Sequence, residues 1–232
     1  MVEVVALDGD DTLWHSESYF ALTHERFAEL LAPHADAADL ESRLLDAERR
    51  NLAIFGYGVK GFTLSMIETA VAVSDGDIEA GDIATILEWG KEMLAHPVDL
   101  LDGVEETIAA LAASHRLVLV TKGDLFHQEQ KVARSGLADR FEHVAIVAEK
   151  DVATYRRVLD AVAVTADRFL MVGNSVRSDV TPVVDLGGRA VHIPYHITWE
   201  LEAGALPSPT GDQRVWELED IRQLPALVEA LS

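Results

Sequence analysis

Three carboxylates fall within four residues in Asp8-Gly9-Asp10-Asp11-Thr12, directly after the apolar run 2–7. Crowding like charges beside a buried strand is costly unless a cation shares the site. Residues two apart in extended chain point the same way, so Asp8 and Asp10 can address one site, and Gly9 lets a ligand approach the backbone closely. An all-oxygen donor set suits a hard cation such as Mg2+. A calcium loop of the EF-hand type fails on spacing, because Leu13 and Tyr19 stand where it needs Gly and Glu. A plain turn, which Asp and Gly also favour, competes for these residues taken alone.

Three later segments carry similar chemistry. Thr121-Lys122-Gly123-Asp124 offers a hydroxyl, a cation and flexible backbone at a helix start. It suits either a phosphate cradle or a Gly turn with Asp124 as helix cap. In Glu149-Lys150-Asp151, Asp151 caps the next helix, and Lys150 sits where the helix dipole disfavours a cation. Holding an anion explains Lys150 better than helix stability does. In Gly173-Asn174-Ser175-Val176-Arg177-Ser178-Asp179, Asn174 and Asp179 can complete a metal site, or Ser178 or Asp179 can cap a helix.

These four segments follow apolar runs of strand length at 2–7, 116–121, 143–147 and 168–172, and a further run lies at 189–193. Helical segments are expected at 102–114, 124–135, 151–164, 178–186 and 219–231, with an edge strand at 214–218. Short β-rich runs alternating with helices predict an α/β, doubly wound parallel sheet. Ligands bind such a sheet beyond the carboxyl ends of its strands, where the four segments fall. Residues 16–100 break the alternation, with helical periodicity near 17–32, 36–54, 62–73 and 77–94 and Pro97 marking the return. The stretch 203–212 is expected to be a surface loop.

The chain has 232 residues, with 40 acidic against 19 basic side chains, a net charge of −21 and no cysteine. So acidic a surface repels nucleic acid. Without cysteine there is no disulfide, thiolate metal site or cysteine nucleophile. No run approaches the ~18 apolar residues of a membrane span, and the first residues do not form a secretion signal, so a cytoplasmic protein without membrane partners is expected. Lysine is scarce, five residues against fourteen arginines, so individual lysines in special places carry weight.

Taken together, the four segments resemble the motifs of the haloacid dehalogenase superfamily of phosphohydrolases. Asp8-Gly9-Asp10-Asp11-Thr12 matches its first motif, Asp-x-Asp-x-Thr; Thr121 matches its second and Lys150 its third, with Tyr155 where relatives often place an aromatic. The fourth departs from pattern, since Asn174 stands where an acid often follows the glycine, while the later acid is present as Asp179. Asp151 stands where many relatives have proline.

The resemblance implies a Rossmann-like core formed by residues 1–15 and 101–232, with a small α-helical cap, 16–100, that closes over the site. It implies phosphoryl transfer through an aspartyl-phosphate on Asp8. Asp10 would hold a proton for the leaving oxygen and later activate water. Thr121 and the backbone N–H groups of Lys122 and Gly123 would bind phosphoryl oxygens, and Lys150 and Mg2+ would neutralise charge. Mg2+ would lie on Asp8, the Asp10 carbonyl, Asn174, Asp179 and water, bound less tightly for having an amide at Asn174.

In the cap, the Gly-rich loop 55–62 offers Tyr57 and Lys60 as substrate contacts, or is an ordinary helix–helix turn. Trp14 and His15 line an entrance or pack between domains. Pro194 separates His192 from His196, which argues against a histidine metal site, and Arg49 and Arg50 lie on a solvated face. The expected activity is Mg2+-dependent hydrolysis of a small phosphorylated metabolite. The alternatives are a 2-haloacid dehalogenase, disfavoured by the second acid Asp10, and a non-catalytic acidic protein that binds a metal or a partner on the same fold.

Overall fold

The computed structural model describes residues 1–207 and 213–231, so residues 208–212 of the expected surface loop lie outside the described residues. From strand β1 (Val4–Leu7) the chain enters four helices, α1 (Glu17–Leu31), α2 (Ala37–Phe55), α3 (Val59–Val73) and α4 (Ala80–Ala95). It then alternates through α5 (Val104–Ala112), β2 (Arg116–Lys122), α6 (Leu125–Arg134), β3 (His143–Val147), α7 (Val152–Ala161) and β4 (Phe169–Gly173). A π-turn at Val176–Val180 leads into α8 (Thr181–Asp185), β5 (Arg189–His192), β6 (Val215–Glu217) and α9 (Leu224–Leu231). The chain divides into two compact units, Met1–Glu17 with Val98–Ser232, and Ser18–Pro97.

The first unit is a parallel sheet in the order β3-β2-β1-β4-β5-β6. Its central strands are apolar on both faces because helices cover both. Val5, Leu7, Leu117, Leu119, Leu170 and Val172 pack with Ile108 and Leu111 of α5 and with Leu224 and Val228 of α9. The alternate residues Val4, Ala6, Val118, Val120, Phe169 and Met171 pack with Tyr155, Val158 and Leu159 of α7. This is the period-two division of a doubly covered strand, and each large side chain so buried contributes about 1.5–3 kcal/mol. Strand order reverses between β1 and β4, which opens the crevice where such sheets bind ligands.

The sequence leaves two helix shapes wrong. The segment expected at 178–186 is split into the π-turn and the short α8, because the chain must carry Asp179 inward before the helix can start. The segment at 219–231 begins as a 3₁₀ turn, Ile221–Gln223, capped by Asp220.

The second unit is helical. Phe27 and Leu31 of α1, Leu40 and Leu44 of α2, Phe62 and Met66 of α3, and Ile86 and Trp89 of α4 share one apolar core. Asp36 caps α2 by accepting from the Asp39 N–H, and Gly58, at φ 109°, takes the chain into α3 three residues earlier than the periodicity predicts. Among the described residues no helix is long and apolar enough to cross a membrane.

Candidate active site

Four loops meet beyond the carboxyl ends of β1, β2, β3 and β4. Strand β1 ends at Leu7, so Asp8 stands in the crevice, with its own N–H held by the Val172 carbonyl of β4 at 2.9 Å. The next turn is tight, with the Gly9 carbonyl accepting from the N–H groups of Leu13 and Trp14 at 2.8 and 3.2 Å. A Cβ on Gly9 would fall 2.6 Å from Trp14 Cζ2, so only glycine fits there. Asp11, at φ 62°, turns out of this site and accepts from the Ser16 and Glu17 N–H groups at 2.8 and 3.0 Å. Of the three carboxylates, one therefore caps the start of α1 and two remain for chemistry.

Lys150 reaches the site from the end of β3. Its ammonium donates to Asp8 Oδ1 at 2.5 Å and to Asp179 Oδ1 at 2.7 Å, with all three side chains buried. Asp179 Oδ2 accepts in turn from the Ser175 N–H at 3.0 Å. The carboxylate packs so closely on Gly173 that a Cβ there would sit 2.1 Å from Oδ2. The anions that Lys150 holds are thus two aspartates, and one positive charge against two negative leaves a buried surplus. Burial and that surplus show in Asp8, which is pushed up to about 7 by desolvation against the pull of Lys150, with Asp179 and Asp10 adding repulsion. Lys150 is held firmly protonated, since Asp179 and Asp8 outweigh the burial that disfavours its charge. Tyr155, the aromatic expected behind Lys150, is buried and donates to the Ser178 carbonyl at 2.9 Å, tying α7 to the π-turn.

Asp10 is held by three donors. Trp14 Nε1 and Lys131 Nζ meet Oδ1 at 2.5 and 2.8 Å, and Gln128 Nε2 meets Oδ2 at 3.1 Å. Burial raises its proton affinity, but the Lys131 charge and these hydrogen bonds outweigh it and hold the carboxyl below its usual range. The expectation that Asp10 keeps a proton is therefore corrected: in this arrangement it is a carboxylate. Trp14 is not an entrance residue either, since it is buried with its indole on Asp10 and its ring against Gly9.

Thr121 is buried at the end of β2, and its Oγ1 accepts from Gln128 Nε2 at 2.7 Å. One neighbouring expectation fails. The Gly123 N–H, expected to bind a phosphoryl oxygen, donates to the Val147 carbonyl at 3.2 Å, because Gly123 continues the ladder with β3. The Lys122 ammonium is engaged by Glu202 Oε1 at 2.5 Å, Ser178 Oγ at 3.0 Å and Glu149 Oε1 at 3.4 Å. Asp124 and Asp151 do cap α6 and α7, accepting from His127 and Thr154 N–H groups.

Asn174, oriented to satisfy both ends of its amide, donates to Asp8 Oδ2 at 3.2 Å and to the Asp10 carbonyl at 3.3 Å. Among the described residues no three His, Asp or Glu side chains gather to grip a metal. A cation here would rely on Asp8, the Asp10 carbonyl and Asn174, whose amide would turn its oxygen toward them in place of the nitrogen. That hard donor set, beside a buried excess of negative charge, fits Mg2+. His192 does not join it: Nδ1 lies 2.9 Å from Glu217 Oε2 and Nε2 lies 3.0 Å from the Asn174 carbonyl, so it braces the loop. His15 pairs with the Tyr195 hydroxyl at 2.7 Å, and Tyr195 packs on His196. Tyr57 and Lys60 belong to the helical unit, in the turn before α3 and in its first turn, and there Arg49 pairs with Asp46 and Arg50 with Glu68.

Three participants were not foreseen. Gln128 and Lys131 lie three apart on α6 and share the face turned to Asp10; Lys131 lies two helical turns beyond the strand-end motif, and its being one of only five lysines was its signal. Glu202, which accepts from Lys122, Ser175 and Ser178, comes from a segment with no pattern to mark it.

A parallel sheet in this order, with an Asp-x-Asp turn after β1, a threonine at the end of β2, a lysine after β3 and an acid after β4, defines a recognisable class of hydrolase. The haloacid dehalogenase-like hydrolase family model matches residues 2–185, and the chain belongs to that family. A haloacid dehalogenase-like family hydrolase from Xanthomonas campestris has a similar solved structure, with 46% identity, a TM-score of 0.88, and coverage of 99% of this chain and 91% of that one. Glyceraldehyde 3-phosphate phosphatase of Pyrococcus abyssi is 24% identical over 84% of this chain and 82% of its own length. N-acylneuraminate-9-phosphatase of Mus musculus is 22% identical over 62% of this chain, a match that spans 57% of the mouse enzyme.

Proposed function

We propose that the protein is a Mg2+-dependent phosphatase of small phosphorylated metabolites, with Asp8 as its nucleophile. The observation that carries this reading is the second acid: Asp10 is built into the site, joined to Thr121 through Gln128 and charged by Lys131. Attack on carbon, as in dehalogenation, has no use for an acid that serves an ester oxygen, whereas phosphate ester hydrolysis needs one. The two phosphatases among the relatives lend weight to the same reading.

Asp8 Oδ1 is fixed by Lys150, which orients the carboxylate for in-line attack on phosphorus with loss of the ester oxygen and formation of an aspartyl-phosphate. A phosphoryl group nearby raises the proton affinity of Asp10 by like-charge repulsion. Asp10, a carboxylate in the free protein, can then take up a proton from solvent as the ester binds, give it to the leaving oxygen and later accept one from water. Thr121 donates to a phosphoryl oxygen, and Lys150 offsets charge at the nucleophile. Asp8, the Asp10 carbonyl and Asn174 would hold Mg2+, which when bound supplies charge neutralisation for the phosphoryl oxygens. Asp179 acts through Lys150, since both its oxygens are already bonded. The helical unit serves as the cap that selects the ester, with Tyr57 and Lys60 as its contacts. The protein works in the cytoplasm.

The test is phosphate release from a panel of phosphorylated metabolites, with Mg2+ and with chelator, for the native protein and Asp8→Asn. Metal-dependent release that disappears in Asp8→Asn supports the proposal. A folded, metal-replete protein that releases phosphate from none of them refutes it.

A further inference from the structure

The Gln128 side chain is buried between α6 and the ends of β1 and β2, and its amide nitrogen meets three oxygens. These are Thr121 Oγ1 at 2.7 Å, Asp10 Oδ2 at 3.1 Å and the Lys122 carbonyl at 3.1 Å. The Lys122 carbonyl can only accept, so the NH2 end must face this cluster. The other end, Oε1, is buried and has no hydrogen-bond partner among the described residues. An unpaired buried oxygen is a cost that packing alone does not explain.

The consequence falls on Thr121. An amide nitrogen has no lone pair to offer, so the threonine hydroxyl at 2.7 Å can only accept there, and its own proton must point elsewhere. Among the described residues it donates to no protein oxygen. The hydroxyl stands against the peptide that joins Asp8 to Asp10, since a Cβ on Gly9 would lie 3.2 Å from its oxygen. A hydroxyl normally rotates to suit its surroundings; this one is denied that freedom beside the nucleophile.

We propose that Gln128 is a positioning residue, which turns the Thr121 hydroxyl into a committed donor toward the anionic oxygens of a phosphoryl group; this rests on the phosphatase reading above. Gln128 never touches substrate. It acts by occupying the lone pair through which Thr121 would otherwise choose its orientation, and it ties that choice to Asp10, so the binding donor and the second acid are set by one side chain.

The test is a double-mutant cycle of Gln128→Met and Thr121→Val in the full chain with Mg2+. It reads inorganic phosphate binding by calorimetry, kcat and KM on any cleaved ester, and the urea midpoint. Gln128→Met is expected to weaken phosphate binding about tenfold without lowering the urea midpoint. In the Thr121→Val background the same change should alter phosphate binding less than about twofold, because the hydroxyl it acts through is gone. Gln128→Leu provides a second apolar variant if the first does not fold. Unchanged phosphate binding in the single variant overturns the proposal, as do losses that multiply in the double variant or a native protein that binds no phosphate. The coupled loss in a native protein that binds phosphate but cleaves no ester supports the role of Gln128 and refutes the phosphatase reading. Ester cleavage with multiplying losses overturns the role of Gln128 alone.

Discussion

The ammonium of Lys150 bonds the carboxylate of Asp179 at 2.7 Å where neither side chain meets bulk water. Asp8 takes a second bond from the same ammonium, so a structural partner and the proposed nucleophile share one cation. The strand ends supply this geometry: Asp8 leaves β1, Lys150 follows β3, and the π-turn after β4 swings Asp179 in behind them. The orientation of Asp8 and the electrostatics of the core are thus one problem in this protein.

Removing the cation should therefore cost stability as well as turnover. Lys150→Met leaves Asp8 and Asp179 buried without compensation, and breaking a buried pair in this way costs about 3–5 kcal/mol. Urea unfolding in chelator is the measurement. Adding Asp179→Asn to Lys150→Met should recover part of the loss while phosphate release stays absent. A Lys150→Met protein as stable as the native one would refute the account of the clamp.

The sequence made the sheet legible because a strand buried on both faces must be continuously apolar, and few other elements look like 2–7 or 116–121. It also marked Asp8, Thr121 and Lys150, since Asp8 follows such a run directly, Thr121 ends one and Lys150 comes shortly after one. Gln128, Lys131 and Glu202 reach the site across the fold, and linear spacing gives no measure of that reach. Gly123 misled for a related reason. Its position after β2 suited a phosphate loop, yet its N–H was already needed by the neighbouring strand, and register with β3 is a property of the sheet. Trp14 could be read as an entrance or a packing residue; only the closeness of its ring to Gly9 decides.

Gly173 should tolerate no side chain. A Cβ there would come 2.1 Å from Asp179 Oδ2, with no flexible end to yield because Asp179 is held by Lys150 and the Ser175 N–H. Gly173→Ala is expected to displace Asp179 and lower kcat by about tenfold or more, with KM less affected, since an oriented nucleophile matters most in the transition state. Steady-state kinetics on the first ester found to be cleaved would decide, and a Gly173→Ala enzyme with native kcat would show that Asp179 need not stay in place.

Lys131 sets the charge of Asp10, and the sign of its effect on pH dependence follows. The ammonium holds the Asp10 carboxyl below its usual range, so the ionised form persists as pH falls. Removing the cation leaves burial as the leading influence, and burial raises a carboxyl. Lys131→Met should therefore move the acid limb of the kcat/KM profile, which reports groups of the free enzyme, to higher pH, with activity lost earlier on acidification. A limb that stays in place would separate Asp10 from the limiting ionisation.

Asn174 leads to the sharpest prediction about the metal. Its amide now donates to Asp8 Oδ2 at 3.2 Å and to the Asp10 carbonyl at 3.3 Å. In Asn174→Asp those donated bonds vanish and a third carboxylate joins Asp8 and Asp179, around a single lysine. In chelator this should lower the melting temperature, because like charges are brought together without a counterion. With Mg2+ the order should reverse, since the added charge strengthens binding to a hard cation and a ligand that binds only the native state stabilises it in proportion to its affinity. The rise in melting temperature on adding Mg2+ should thus be larger in Asn174→Asp than in the native protein, and half-maximal activity should need less metal. An equal rise in both would mean that Asn174 is not at the cation, and that the donors near Asp8 serve to hold the Asp8 carboxylate itself.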